Sequence, residues 1–75
     1  MKVNMYSVMD LKAEVFTKPI FLQNDATALR AFMSMVNDTE NAIGRFPEDY
    51  VLYRIGEWND IVGCVKGCDP VSLCN

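Results

Sequence analysis

The chain has 75 residues, 51% of them hydrophobic, with seven basic and ten acidic side chains, no histidine and a formal charge of −3. A chain this short buries only about 60% of the surface its unfolded form exposes, so a lone core is marginal and an apolar face packed on a second copy is expected. The composition excludes a basic nucleic-acid tail, and the absence of histidine excludes Ser-His and Cys-His nucleophile pairs.

In chain order, Val3–Met9 carries β-favouring Val and Tyr and reads as a strand. Asp10-Leu11-Lys12 follows as a polar bend, and residues 13–17 fit either a short extended piece or a helical turn. Pro19 biases its predecessor to extended geometry and opens a second strand over 19–23. Asn24 or Asp25 then caps a helix over 25–37, whose Ala28, Phe32, Met35 and Val36, with Leu29 and Met33 beside them, form a broad apolar face. A polar loop over 38–49 leads into the strongest strand, 50–57, and Trp58-Asn59-Asp60 supplies a turn to a hairpin partner at 61–66. Gly67 and Pro70 mark 67–75 as an irregular tail after a domain spanning 1–66. The expected fold is α+β, in the order β-β-α-β-β. One helix covers one face of a mainly antiparallel four-stranded sheet, and the other face is solvated or an interface, most simply of a dimer.

Catalytic chemistry finds no support in these residues. Glu48 and Asp49 are adjacent and point apart, and the glycines at 44, 56, 63 and 67 form neither GxGxxG nor a phosphate loop. Cys64, Cys68 and Cys74 are odd in number, which argues for free thiols, and zinc would want a fourth Cys or His ligand. No metal, cofactor or enzymatic activity is expected. The first residues lack the apolar core of a signal peptide and no run approaches the roughly 20 residues of a membrane helix, so a cytoplasmic protein without membrane contact is expected. The five methionines, Met1, Met5, Met9, Met33 and Met35, read as core fillers, with the lining of an adaptable interface as the alternative.

Binding has better support. Alternation along the 50–57 strand sends Tyr50, Leu52 and Arg54 to one face and Val51, Tyr53 and Ile55 to the other. The all-apolar set suits the helix, which leaves Tyr50 and Arg54 on the open side, with Tyr6 of the first strand beside them. Trp58 at the hairpin turn is expected to be exposed, and Lys12, Lys18 and Arg45 lie in loops that border the same side. Aromatic platforms with a few cations bind single strands by stacking bases and meeting phosphates with charge. Tyr6, Lys12, Lys18, Arg45, Tyr50, Arg54 and Trp58 are therefore the candidate nucleic-acid contacts.

Three blocks give the chain a familiar pattern. They are Tyr6-Ser7-Val8-Met9-Asp10 continuing through Lys12-Ala13-Glu14, Phe16 and Pro19; Ala28 with Arg30-Ala31-Phe32 and Val36-Asn37-Asp38; and Pro47-Glu48-Asp49-Tyr50 with Leu52-Tyr53, Ile55-Gly56, Asp60 and Gly63. In order and spacing these resemble the small nonstructural protein of gokushoviruses, single-stranded DNA phages of the Microviridae. The tail Pro70-Val71-Ser72-Leu73 is also similar, whereas the cysteines depart from the pattern. The resemblance implies a DNA-binding protein in the cytoplasm of the bacterial host, outside the capsid. Its implied role is the switch from double-stranded replication to the single strands that are packaged. With a net negative charge, the rival expectation is an adaptor that docks on phage or host replication or packaging proteins without touching DNA.

Overall fold

The computed structural model of the protein describes residues 2–74; Met1, Asn75 and the Cys74 side chain lie outside that description. The elements are β1 (Lys2–Asp10), β2 (Val15–Phe16), β3 (Ile20–Leu22), α1 (Asp25–Val36), α2 (Ala42–Arg45), a 3-10 turn (Pro47–Asp49), β4 (Tyr50–Asn59) and β5 (Cys64–Cys74). The fold is α+β, and the pairs β1–β2, β1–β3, β1–β4 and β4–β5 are all antiparallel. No helix among the described residues is long and apolar enough to cross a membrane.

β1 and β4 form the centre of the sheet, paired from Lys2–Asn59 to Asp10–Tyr50. Both β2 and β3 lie on the far edge of β1, with Phe16 opposite Met9 and Phe21 opposite Met5. They act as one edge strand interrupted at Thr17–Pro19. Thr17 bridges the gap: its N–H donates to the Val8 carbonyl and its Oγ1 accepts from the Val8 N–H at 3.1 Å. Pro19 has no N–H to offer a ladder, so it sits where the ladder breaks. The ambiguous stretch 13–17 thus resolves into turn and strand.

The helix begins where the sequence placed it. Asn24 is its N-cap, with Oδ1 accepting from the Thr27 N–H at 2.9 Å, and Asn37 closes it. Within the expected polar loop, Asn41 caps the short α2 by accepting from Gly44 N–H at 3.0 Å, and Pro47 opens the 3-10 turn. A side chain on Gly44 would collide with the Asp38 carbonyl, so this turn-to-helix junction requires glycine.

Two expectations about the C-terminal third are corrected. Ile61-Val62-Gly63 is the hairpin turn and not the start of a strand: Asn59 Oδ1 accepts from Ile61 N–H at 3.0 Å, and Gly63 has φ 69°. The stretch 67–75, expected as an irregular tail after residue 66, is strand through Cys74, with Val71 opposite Arg54 and Ser72 opposite Tyr53. Gly67 and Pro70 are tolerated because β5 is an edge strand. Cys68–Pro70 also fall in a register shift opposite Ile55, where the ladder needs no proline N–H.

Directly paired residues of antiparallel strands share a face. The helix face carries Tyr6, Val8 and Leu52, closed by Ala28 and Phe32 of α1 into the buried core, with Leu22, Leu29, Val36, Ile43, Tyr50 and Leu73 packed around it. Burying each large member contributes about 1.5–3 kcal/mol. This reverses the expected assignment: Tyr6, Tyr50 and Arg54 lie on the helix side, and Val51 and Tyr53 on the other. The cause is polar. Tyr6 Oη donates to Asp25 Oδ1 at 2.6 Å and accepts from Asn4 Nδ2 at 2.9 Å, while Arg54 Nη1 donates to Asp25 Oδ2. The helix supplies a carboxylate, so the face with donors turns toward it.

Replacing Tyr6 by Phe keeps the ring and deletes its hydrogen bond to a carboxylate, and is expected to lower stability in urea unfolding by about 1.5 kcal/mol. The Tyr6 hydroxyl and then Arg54 hold the Asp25 carboxyl below its ordinary value of 3.8. A depressed folded value means this stabilisation is present above the ordinary carboxylate range and is lost as pH falls through the folded value. Asp25→Asn is therefore expected to be less stable than wild type at pH 7, with the gap narrowing below pH 3.8 in acid-unfolding curves.

Candidate functional site

With α1 on one side, no α-helix of the described residues lies over the opposite sheet face, and only the 3-10 turn at Pro47 borders it near Val51. Strand pairing arranges its residues in four rows: Phe16–Met9–Val51, Ser7–Tyr53–Ser72, Phe21–Met5–Gly56–Gly67 and Val3–Trp58–Val65. None of these residues is charged. Phe16 packs edge-to-face on Tyr53, with ring centroids 5.5 Å apart and planes at 74°. Phe21 packs likewise on Trp58, at 6.5 Å and 71°. Phe16 is 41% exposed and Phe21 49%, so the interrupted edge strand presents two open aromatic rims.

Beneath the rims the floor is tightly made. Ser7 is buried, with Oγ donating to the Thr17 carbonyl at 2.7 Å, which ties the edge strand to β1. Val51 is buried beside Leu11 and Pro47. Gly56 and Gly67 face each other across β4 and β5. A Cβ on Gly56 would come within 2.5 Å of the Lys66 carbonyl, whereas one on Gly67 would meet nothing within 4 Å. Phe21, Trp58 and Val65 line an apolar cleft of about 340 Å³ at the hairpin end of this face.

Cations border the face without entering it. Lys18 is exposed in the link between Phe16 and Phe21 on one edge, and Lys66 lies between Val65 and Gly67 on the other. Lys66 pairs with Glu57 and lines a polar cleft on the helix side with Asn4, Arg54 and Cys68. Its four-carbon stem gives the ammonium reach around the edge.

The seven residues expected to form one site are not brought together. Tyr6 is buried on the helix side, and burial, then Asp25, pushes its phenol above the ordinary value. Arg54 is committed to Asp25, which raises its own pKa. Tyr50 is half-buried on the helix side, its phenol raised by desolvation and then by Asp10 and Asp49. Arg45 lies on α2, with Nε donating to the Thr39 carbonyl at 3.0 Å. Lys12 sits in the β1–β2 turn, its backbone N–H on Asp10 Oδ1. Trp58, expected exposed at the hairpin turn, is a half-buried residue of β4 on the uncovered face, and Lys18 is on its border. Phe16, Phe21 and Gly67 were missed; the signal was available in two phenylalanines either side of Pro19, five residues apart. Cys64 and Cys68 are free and exposed, and the Cys74 side chain lies outside the described residues.

These features define a small α+β protein with an aromatic, uncharged sheet face, and its family follows from comparison. The chain belongs to the Phage ORF5 protein family, whose profile matches residues 3–75. No curated protein and no solved structure matches it.

Since the open aromatics make few buried contacts, Phe16→Ala and Phe21→Ala are each expected to cost about 1 kcal/mol in thermal or urea unfolding. Phe32→Ala in the core should cost about 3–5 kcal/mol. A comparable loss at Phe16 would show that this face is core.

Proposed function

We propose that this phage protein binds single-stranded DNA on its uncovered sheet face and acts, without catalysis, in viral single-strand synthesis in the host cytoplasm. The observation that carries the proposal is the placement of two aromatic pairs, Phe16–Tyr53 and Phe21–Trp58, on the face that no helix covers. Each base has a π-face, so aromatic platforms bind single strands with little sequence preference. The resemblance to the gokushovirus nonstructural protein supports the biological setting: a protein that helps turn replication from double-stranded intermediates toward the strands that are packaged. Membership of a phage protein family agrees with that setting at a coarser level.

The electrostatics shape the binding. A chain of charge −3 meets phosphates through the few lysines at the borders, chiefly Lys18 and Lys66. Two phosphate contacts give a salt slope of about −1.4 for single strands, shallow compared with basic DNA-binding proteins. Stacking supplies the larger share, about 1–3 kcal/mol per base.

A second reading is favoured by the absence of charge in the four rows: the face docks a protein, either a second copy in a homodimer or a phage or host replication protein. Apolar rows without charge resemble the interior of a protein interface more closely than a phosphate groove does.

Fluorescence anisotropy with a labelled oligonucleotide separates the two. The DNA reading expects binding at low salt, a shallow salt dependence, and a roughly tenfold loss on Trp58→Ala, with Arg54→Ala reducing stability but not intrinsic affinity. No binding at low salt, with self-association or nuclease-insensitive capture of a replication protein in its place, would establish the docking reading.

A further inference from the structure

We infer that the cleft formed by Phe21, Trp58 and Val65 seats one unpaired nucleobase, that Gly67 keeps its approach open, and that the Phe16–Tyr53 pair holds a second base of the same extended strand. This deepens the DNA-binding reading and rests on it. Three observations carry it.

The first is spacing. Phe16 and Phe21 stand opposite Met9 and Met5, and Tyr53 and Trp58 opposite Ser7 and Val3. Each member of one aromatic pair is thus offset from its counterpart by four residues of β1, about 13 Å at ~3.3 Å per residue. Successive bases of stacked DNA rise by only ~3.4 Å. Bases about four steps apart span that distance, but in a stack each has its faces covered by its neighbours, so stacking on both aromatic stations requires bases pulled out of the helical stack. A duplex, whose bases are stacked and turned inward, cannot supply it. The preference for single strands then follows from geometry and not from charge.

The second is the shape of the cleft. Its lining is one indole, one phenyl ring and one valine, the last 58% exposed on the outer strand. Beside it the row Phe21–Met5–Gly56–Gly67 ends in two facing glycines. The two differ in cause. Gly56 is required by the fold, because a Cβ would press on the Lys66 carbonyl at 2.5 Å. Gly67 is not: a Cβ there meets nothing within 4 Å, and its φ is not in the left-handed region. Gly67 stands beside the register shift over Cys68–Pro70, where a strand glycine is tolerated, and it also lines the polar cleft with Arg54 and Lys66; with no side chain it leaves the surface next to the apolar cleft free for a close approach from outside.

The third is charge. Lys18 lies between the two edge phenylalanines, so a cation stands at the border where a backbone crossing from one station to the other would pass, while Lys66, opposite Glu57 on the helix side, reaches the outer border beside the cleft by its flexible stem. The interior of the face, where bases would stack, carries none.

The lone tryptophan makes this testable, since Trp58 is the only indole in the chain and its emission reports this station alone. Wild type, Gly67→Leu, Val65→Asp, Phe16→Ala and Trp58→Ala are titrated with a thymidine oligonucleotide, as a single strand and annealed to its complement. Binding is followed by Trp58 quenching where the indole is present and by anisotropy throughout. Folding of each variant is checked by thermal melting. The expected result is quenching by the single strand, at least tenfold weaker binding of the duplex, and at least tenfold weaker single-strand binding by Gly67→Leu with its melting unchanged. Val65→Asp, which places a carboxylate in the cleft, should lose as much and serves if Gly67→Leu does not fold. Gly67→Leu and Val65→Asp binding like wild type, while Phe16→Ala and Trp58→Ala are weak, would overturn the cleft and leave the DNA reading standing. Equal quenching by duplex would overturn the extended-strand geometry. A wild type that binds no oligonucleotide at low salt would remove the DNA reading and this inference together.

Discussion

Asp25 accepts hydrogen bonds from two strands at once, Tyr6 of β1 and Arg54 of β4, and the layout of the molecule follows from that contact. The carboxylate stands in the first turn of α1, where the helix dipole favours a negative charge. Ala28 and Phe32 follow it three and seven residues on, along the same helical stripe, and both are buried. Once Asp25 is held over the centre of the sheet, that stripe must descend onto Tyr6, Val8 and Leu52. One helix of twelve residues covers one face, and the other face keeps Phe16 and Phe21 exposed, with Tyr53 and Trp58 half-buried beside them.

The edges of the sheet are managed differently from its face. On β5, Pro70 and the register shift over Cys68–Pro70 interrupt the line of donors and acceptors that another strand would need. On the opposite side, β2 and β3 are short and broken at Pro19. Both edges therefore discourage strand addition, while the face between them is open, uncharged and lined by Phe16, Phe21, Tyr53 and Trp58. In the proposed reading a single strand would meet the face and not the margins: stacking needs no complementary hydrogen bonds, and the bordering lysines would meet a limited number of phosphates.

Much of the fold was legible in the sequence. β1 and β4 showed as Val- and Tyr-rich runs, and α1 showed through its Asn24 cap and its apolar spacing, because each signal is local. The orientation of the sheet was not legible in that way. A period of two separates Tyr50, Leu52 and Arg54 from Val51, Tyr53 and Ile55 without saying which set meets the helix, and the apolar set was the wrong choice. The deciding group, the Asp25 carboxylate, is far from either strand in sequence. Ile55 compounded the error, since it lies in the bulge and follows neither set strictly. The C-terminal strand was missed because Gly67 and Pro70 act as breakers in a central strand but are admissible at a bulged edge. Of the seven candidate contacts, Trp58 lies on the uncovered face and Lys18 at its border, while Tyr6, Tyr50, Arg45 and Arg54 are engaged in packing or hydrogen bonds within the fold and Lys12 lies exposed in the β1–β2 turn.

The central claim is that the face turned away from α1 is the one that meets DNA. Methionine methyl groups report on it directly, because Met5 and Met9 lie in its rows while Met33 and Met35 lie on the helix. Methyl NMR of the labelled protein during titration with a thymidine oligonucleotide should shift Met5 and Met9 and leave Met33 in place. Shifts at Met33 and Met35 with Met5 and Met9 unmoved would put the contact on the helical side and contradict the account.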